Sequence, residues 1–326
     1  MNRRKALFAL ASLAAAAAAA AAGAQQPGRV YKIGVLSAGR RPASTERPLS
    51  KDMAKLGWVE GKNVVYEARW AEDHLERLPG LAAELVQLKV DVIYAIGTLA
   101  PLAAKHATTT IPIVMAAAGD PLGSGLVANF ARPGGNVTGN SMMVAELGGR
   151  RLQMMKELRP GVSRVAIFWN AANPYSTNVF KATQDAAKTL RVQLQSLELR
   201  SPEDFNEAAE SVLRQRAGAL LVVEDPLTTD LRKQFADFAA RSRIPALYGI
   251  KDFVEAGGLM SYGVSLEDLR RRAAVYVDKI LRGAKPGDLP VQQPTQFEVV
   301  INRKAASALG LTIPQSVLVQ ATELID

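Results

Sequence analysis

Hydrophobic positions along the chain follow two alternating patterns. YKIGVLS (31–37), NVVYEARW (63–70), DVIYAIG (91–97) and IPIVMAAAGD (111–120) are short apolar or β-branched runs of the kind that form buried strands. Between them, Leu75, Leu78, Leu81, Leu85 and Leu88 recur at three- and four-residue spacing, which predicts an amphipathic helix. Pro42 to Leu56 and LAPLAAKHA (99–107) are helical segments of the same alternation. Repeated βαβ units predict a parallel sheet covered by helices on both faces.

ARPGGNVTG (131–139) interrupts this rhythm with Pro133-Gly134-Gly135, a loop leading into a short extended piece. The alternation then restarts. Helices over Glu146 to Leu158, Pro174 to Leu190, Pro202 to Gln215 and Thr228 to Arg241 flank SRVAIFWN (163–170), VQLQSLEL (192–199), GALLVVED (218–225) and PALYG (245–249). Two αβ sets of similar size predict two similar lobes with a boundary near residue 140, without a strong sequence repeat. GGLMSYG (257–263) reads as a strand or crossover, SLEDLRRRAAVYVDKILRG as a helix ending at Gly283, and AKPGDLPVQQP as a Pro/Gly-rich connection. FEVVINRKAASALGL adds one more strand and a short helix.

Composition narrows the function classes. With 48% hydrophobic and 22% charged residues the chain is of ordinary globular make-up, and its 326 residues predict two domains or one large one. Cysteine is absent, which removes disulfides, thiolate metal sites and cysteine nucleophiles. The two histidines, His74 and His106, are too far apart for a short-range metal motif, so no metal site is expected.

Residues 1 to 24 place Arg3, Arg4 and Lys5 ahead of an Ala-rich apolar run that closes on Ala22-Gly23-Ala24. This is the order of a cleavable export signal, with the mature chain starting near Gln25 and a membrane anchor as the competing reading. The Arg3-Arg4 pair is only a poor match to a twin-arginine signal. Removing the segment lowers the formal charge of +9 by the three positive residues it carries. The remaining basic residues are spread along the chain. Their densest cluster, Arg270-Arg271-Arg272, reads as a solvated helix face, and few aromatics accompany it, so no nucleic-acid partner is expected.

Ligands of open parallel sheets bind beyond the carboxyl ends of strands, where helix N-termini present free N–H groups. The first lobe offers Ser37, Gly97-Thr98 and Asp120 at such places; the second offers Asn170, Asn173, Glu224-Asp225 and Tyr248, with Tyr262 from the later segment. Hydroxyls and helix ends for a carboxylate, an acid for an ammonium and rings for an apolar side chain suit a zwitterion. Each residue alone also reads as an ordinary helix cap, or, for the tyrosines, as a core ring. Glu224 and Asp225, as neighbours on a strand, are expected to point to opposite sides.

No G-x-S-x-G elbow, Walker A loop or acidic metal loop is present, so no catalytic residue is assigned and no cofactor is expected. Gly123-Ser124-Gly125-Leu126-Val127-Ala128 fits G-x-G-x-x-A, but Gly119-Asp120-Pro121-Leu122 separates it from its strand.

Over nearly the whole mature length the chain resembles the periplasmic substrate-binding proteins of ABC transporters, in the group that includes tryptophan- and other aromatic-amino-acid-binding members. The matching stretches are LGWVEGKNVVYEARWAE (56–72), RLPGLAAELVQLKVDVIYAIGT (77–98), IPIVMAAAGDPLGSGLVANFARPGGNVTG (111–139), EAGGLMSYG (255–263) and KILRGAKPGDLPVQQPTQFEVVINRKAASALGLTIP (279–314). The resemblance implies an α/β fold of two Rossmann-like doubly wound lobes, the type I periplasmic-binding-protein architecture, joined by hinge crossings. It implies a first lobe of residues 28–139 plus about 263–288 and a second of 140–262 plus about 289–326, with crossings near Gly139, Tyr262 and Pro286 to Pro294. It places GSGLVA on a helix start, carboxylate binding on Gly97-Thr98 and Ser37, and ammonium binding on Asp225. The segment RRPASTERPLSKDM (40–53) departs from the family by lacking an aromatic and Gly-rich start. The implied function is capture of an amino acid, aromatic or branched aliphatic, by an exported monomer that delivers it to an ABC-transporter permease. A sensory binding protein and a small-metabolite enzyme are the alternatives.

Overall fold

The computed structural model describes residues 29–41, 48–142 and 147–326. The expected export segment and the first part of the helix expected from Pro42 lie outside the described residues. Strands β1 (Tyr31–Ser37), β2 (Val64–Trp70), β3 (Val92–Ile96), β4 (Ile113–Ala118) and β5 (Val137–Ser141) form one sheet in the order β2-β1-β3-β4-β5, parallel throughout. β6 (Arg164–Asn170), β7 (Gln193–Leu199), β8 (Ala219–Val222), β9 (Ala246–Tyr248), β10 (Met260–Val264), β11 (Phe297–Asn302) and β12 (Glu323–Ile325) form a second, in the order β12-β11-β10-β9-β8-β6-β7. Only the β10–β11 pairing is antiparallel.

Both sheets are built from nearly continuous apolar strands because helices cover both faces. α1 (Pro48–Lys55), α2 (Leu78–Gln87) and α3 (Leu99–Ala107) belong to the first lobe. α4 (Leu147–Leu158), α5 (Pro174–Leu190), α6 (Asp204–Arg214), α7 (Pro226–Asp230), α8 (Arg232–Ser242) and α9 (Asp252–Glu255) belong to the second. α5 follows helix-start chemistry: Asn173 caps it by accepting from the Tyr175 N–H, and Pro174 takes the first position. Its buried Tyr175, Val179, Thr183 and Ala187 form one stripe at helical spacing.

The chain crosses between the sheets after β5, after β10 and before β11. α10 (Leu266–Leu281) follows β10 of the second sheet yet packs on the first, burying Ala273, Ala274 and Val277 beside Tyr94 and Val114. Trp58 Nε1 donates to Asp278 at 2.8 Å and ties the helix there. The first and third crossings lie side by side: the Ser141 N–H donates to Gln292 O at 2.8 Å and the Gln292 N–H to Gly139 O at 2.9 Å. Gly139 has φ +127°, and a Cβ there would sit 2.4 Å from Met115 O, so only glycine fits.

Four expectations differ from the structure. The helix expected over Thr228 to Arg241 breaks at Leu231 into α7 and α8. Gly123 to Leu126 forms turns and opens no helix, so the G-x-G-x-x-A match lacks the strand-to-helix context a dinucleotide site needs. β8 ends at Val222, which leaves Glu224 and Asp225 on a loop, where strand alternation does not apply. Two short helices, α11 (Arg303–Ala308) and α12 (Gln315–Leu318), precede β12, an edge strand too short and polar to be read from its pattern.

Candidate functional site

The carboxyl ends of β1, β3 and β4 face the N-termini of α5 and α7 across the seam between the lobes. Glycines make the approach close. A Cβ added to Gly119 would lie 2.1 Å from Cγ of Tyr175, and one added to Gly39 would lie 2.9 Å from Asp230 Oδ2. At Gly97 (φ +76°) the nearest atom across the seam is Cγ of Pro226, at 3.6 Å. The Arg40 N–H donates to Asp230 Oδ2 at 2.8 Å, and Nε of Arg40 donates to Asp73 Oδ2 at 2.8 Å, so one residue bonds both lobes. The seam encloses a cavity of about 780 Å³.

One pole of this cavity is polar. Asp225 is buried and caps α7, its Oδ1 accepting from the Leu227 N–H (2.9 Å) and Asn170 Nδ2 (2.8 Å) and its Oδ2 from Asn173 Nδ2 (2.6 Å). Burial raises its pKa against the pull of these donors. Glu224 accepts from Arg151 Nη1 and Nη2 at 2.7 and 2.8 Å and from Tyr175 Oη at 2.6 Å. Arg151 is itself 2% exposed and also donates to Tyr262 O. The ion pair is therefore a fixed floor beneath the cavity. Thr98 Oγ1 accepts from the Gly119 N–H (3.0 Å) and Ser37 Oγ from the Gly39 N–H (3.3 Å), so both hydroxyls brace strand-end loops. At the seam, burial pushes Asp230 up to about 6, with Asp73 reinforcing the rise and the Arg40 N–H opposing it.

The rest of the wall is mainly apolar and aromatic, with Ser50, Asp252 and Arg270 as polar members. Tyr66, Ala68 and Trp70 alternate along β2, and Val35, Tyr94 and Ile96 share the same sheet face. Leu49 of α1 and Leu266 and Arg270 of α10 close the chamber from the helix side.

Of the residues expected from sequence, Ser37, Gly97, Thr98, Asn173 and Asp225 line one cavity. Four others do not. Asp120 turns to its own loop, accepting from the Gly123 N–H at 2.8 Å, and to Asn178. Asn170 stands behind Asp225 as its donor. Tyr248 is fully buried and stacks on Phe253 at 4.8 Å in the second-lobe core. Tyr262 packs against Phe297 at 6.1 Å on the far side of Arg151, which takes its carbonyl. In both tyrosines the competing reading as core rings is the one realised. Sequence reasoning missed Tyr66, Trp70, Tyr94, Tyr175 and Arg270. The period-two alternation of aromatics in VVYEARW was the available signal for the first two.

Two parallel-sheet lobes that meet at a seam enclosing a cavity define the type I fold of periplasmic binding proteins. Residues 43–325 match the family model of the ABC transporter substrate binding protein, and the chain belongs to that family. It is 27% identical over 281 residues to a tyrosine-binding protein of Clostridioides difficile (strain R20291), covering 86% of this chain and 81% of that one. A Streptococcus pneumoniae ABC domain in complex with L-Trp shares 26% identity, covers 91% of this chain and 100% of its own, and has a TM-score of 0.82. The ligand-free, open structure of CD0873 from Clostridium difficile shares 26% identity with 91% and 99% coverage and has a TM-score of 0.62.

Proposed function

We propose that this chain is exported to the periplasm and captures an amino acid with an aromatic or branched apolar side chain, for hand-over to an ABC-transporter permease. The observation that carries this reading is the two-part cavity, with strand ends, helix N-termini and Asp225 at one pole and an aromatic wall at the other. The tyrosine and L-Trp in the names of two relatives support it. Ser37 and Gly97-Thr98 take the ligand carboxylate and Asp225 its ammonium, through the lone-pair capacity its three donors leave open.

The protein works as a monomer without cofactor or catalysis. Its first lobe is residues 28–139 plus about 263–288 and its second 140–262 plus about 289–326, and ligand contacts to both stabilise the closed form. The test is calorimetric titration of ligand-stripped mature protein with the common amino acids, followed by mass spectrometry of the bound species. Unchanged amino acid recovered at one equivalent is expected. Turnover to a product, or no binding by any apolar amino acid, would overturn the reading.

A further inference from the structure

The basic triplet on α10 is divided by the fold. Arg271 donates to Asp268 Oδ1 at 2.5 Å, and Arg272 pairs with Asp268 Oδ2 at 2.6 Å, so one carboxylate serves both. Arg270 has no ion pair and no hydrogen bond among the described residues, and it lines the cavity. Helical spacing explains its direction: Leu266, Arg270, Ala273, Ala274 and Val277 share one stripe, and the last three are buried against the first sheet. Arg270 thus occupies the inward face of the helix, half-buried, ahead of alanines packed into the first-lobe core.

Its position along the chamber follows from its neighbour. Arg270 is close enough for its charge to pull on the Tyr94 hydroxyl, against the upward push of burial on that group. Tyr94 precedes the Gly97-Thr98 strand end by three residues, which at the rise of an extended strand is about 10 Å deeper into the first lobe. Arg270, one turn beyond Leu266 on the helix that packs on the first sheet, therefore closes the chamber from the first-lobe side, opposite the second-lobe pole of Asp225 and Glu224. Asp252 also lines the cavity and the charge of Asp52 also reaches Tyr94, but neither pairs with Arg270 among the described residues, so a carboxylate meeting the half-buried guanidinium fork makes the strongest available partner.

We infer that Arg270 determines specificity, and that the ligand carries an anionic or strongly accepting oxygen at the distal end of its ring or side chain. This rests on the amino-acid reading only for the placement of the ligand's other end. The group recognised is a ring-borne carboxylate first and a phenolic oxygen second; a plain hydrocarbon ring leaves Arg270 unpaired.

The experiment titrates ligand-stripped protein with L-phenylalanine, L-tyrosine and 4-carboxy-L-phenylalanine, and with the amine-free acids benzoate and terephthalate. Wild type is expected to bind the carboxylated ring tightest, L-tyrosine next and L-phenylalanine weakest. Arg270→Gln is expected to lose about 30-fold or more toward the carboxylated ring and to leave L-phenylalanine unchanged. Arg270→Lys should restore part of the preference, and Arg271→Gln, on the exposed face, should keep all of it. Unliganded melting of each variant separates misfolding from lost recognition. Terephthalate binding in an Arg270-dependent way while every amino acid fails would support this inference and remove the amino-acid reading. L-phenylalanine binding as well as the other two, a preference that survives Arg270→Gln, or no binding by any of the five would overturn it.

Discussion

Gly119→Ala tests whether the seam must close for ligand to be held. Gly119 has no positive φ, so alanine is no strain on its own backbone. The added Cβ would lie 2.1, 2.2 and 2.6 Å from Cγ, Cδ2 and Cβ of Tyr175. Tyr175 cannot yield easily: its ring is 2% exposed and its hydroxyl is held by Glu224 at 2.6 Å. Relief requires the lobes to part by more than an ångström. Overpacking of this kind costs about 1–3 kcal/mol. Since the contact exists only across the seam, that cost falls on the closed form and becomes a loss of ligand affinity of about 5- to 150-fold. Unliganded stability should stay near wild type. Gly80→Ala, where nothing lies within 4 Å of the new Cβ, is the control and should bind normally. Titration calorimetry reads the affinity, and small-angle scattering with saturating ligand reads the closure. Wild-type affinity together with wild-type compaction in Gly119→Ala would refute the argument.

Other perturbations separate the remaining roles. Asp225→Asn keeps the capping oxygen for Leu227 and removes the charge, so it should melt close to wild type without ligand but lose most of the ligand-induced melting shift, by about 2–5 kcal/mol of binding; an intact shift would move the ammonium site elsewhere. Arg151→Met leaves Glu224 charged in a dry site and should cost about 3–5 kcal/mol in urea unfolding, whereas Arg151→Met with Glu224→Leu should recover much of it. Burial raises Asp230 from 3.8 to about 6 in the closed form, among Arg40, Asp73 and Arg232, so closure takes up a proton. Affinity should therefore rise as pH falls through 6 and level off near 4, and Asp230→Asn should flatten that profile.

Much of the architecture is legible locally. The strand and helix periods of residues 31–118 and 163–249 depend on which face of a nearby element is dry, and that is written within a dozen residues. Asn173-Pro174 and Asp225-Pro226 likewise announce α5 and α7, because a cap and the proline after it are neighbours. The break at Leu231 was hidden, since both halves of the segment carry helix-forming residues and only packing in the second-lobe core separates them.

The sequence by itself determined the two αβ sets, the strand-end positions from which a site is built, and the family resemblance carried by long matching stretches. It left open which strand-end residues meet. Asp225 and Asn173 share a cavity wall with Ser37 and Thr98 because two sheets face each other, while Tyr248 and Tyr262, equally well placed along the chain, turn into the second core. The Arg151–Glu224 pair spans 73 residues, and the Gly119–Tyr175 contact joins different lobes. The direction of Arg270 depends on a helix that follows a strand of one sheet and packs on the other. Such pairings are set by the burial of whole faces and by the closure of long loops, which no local period encodes.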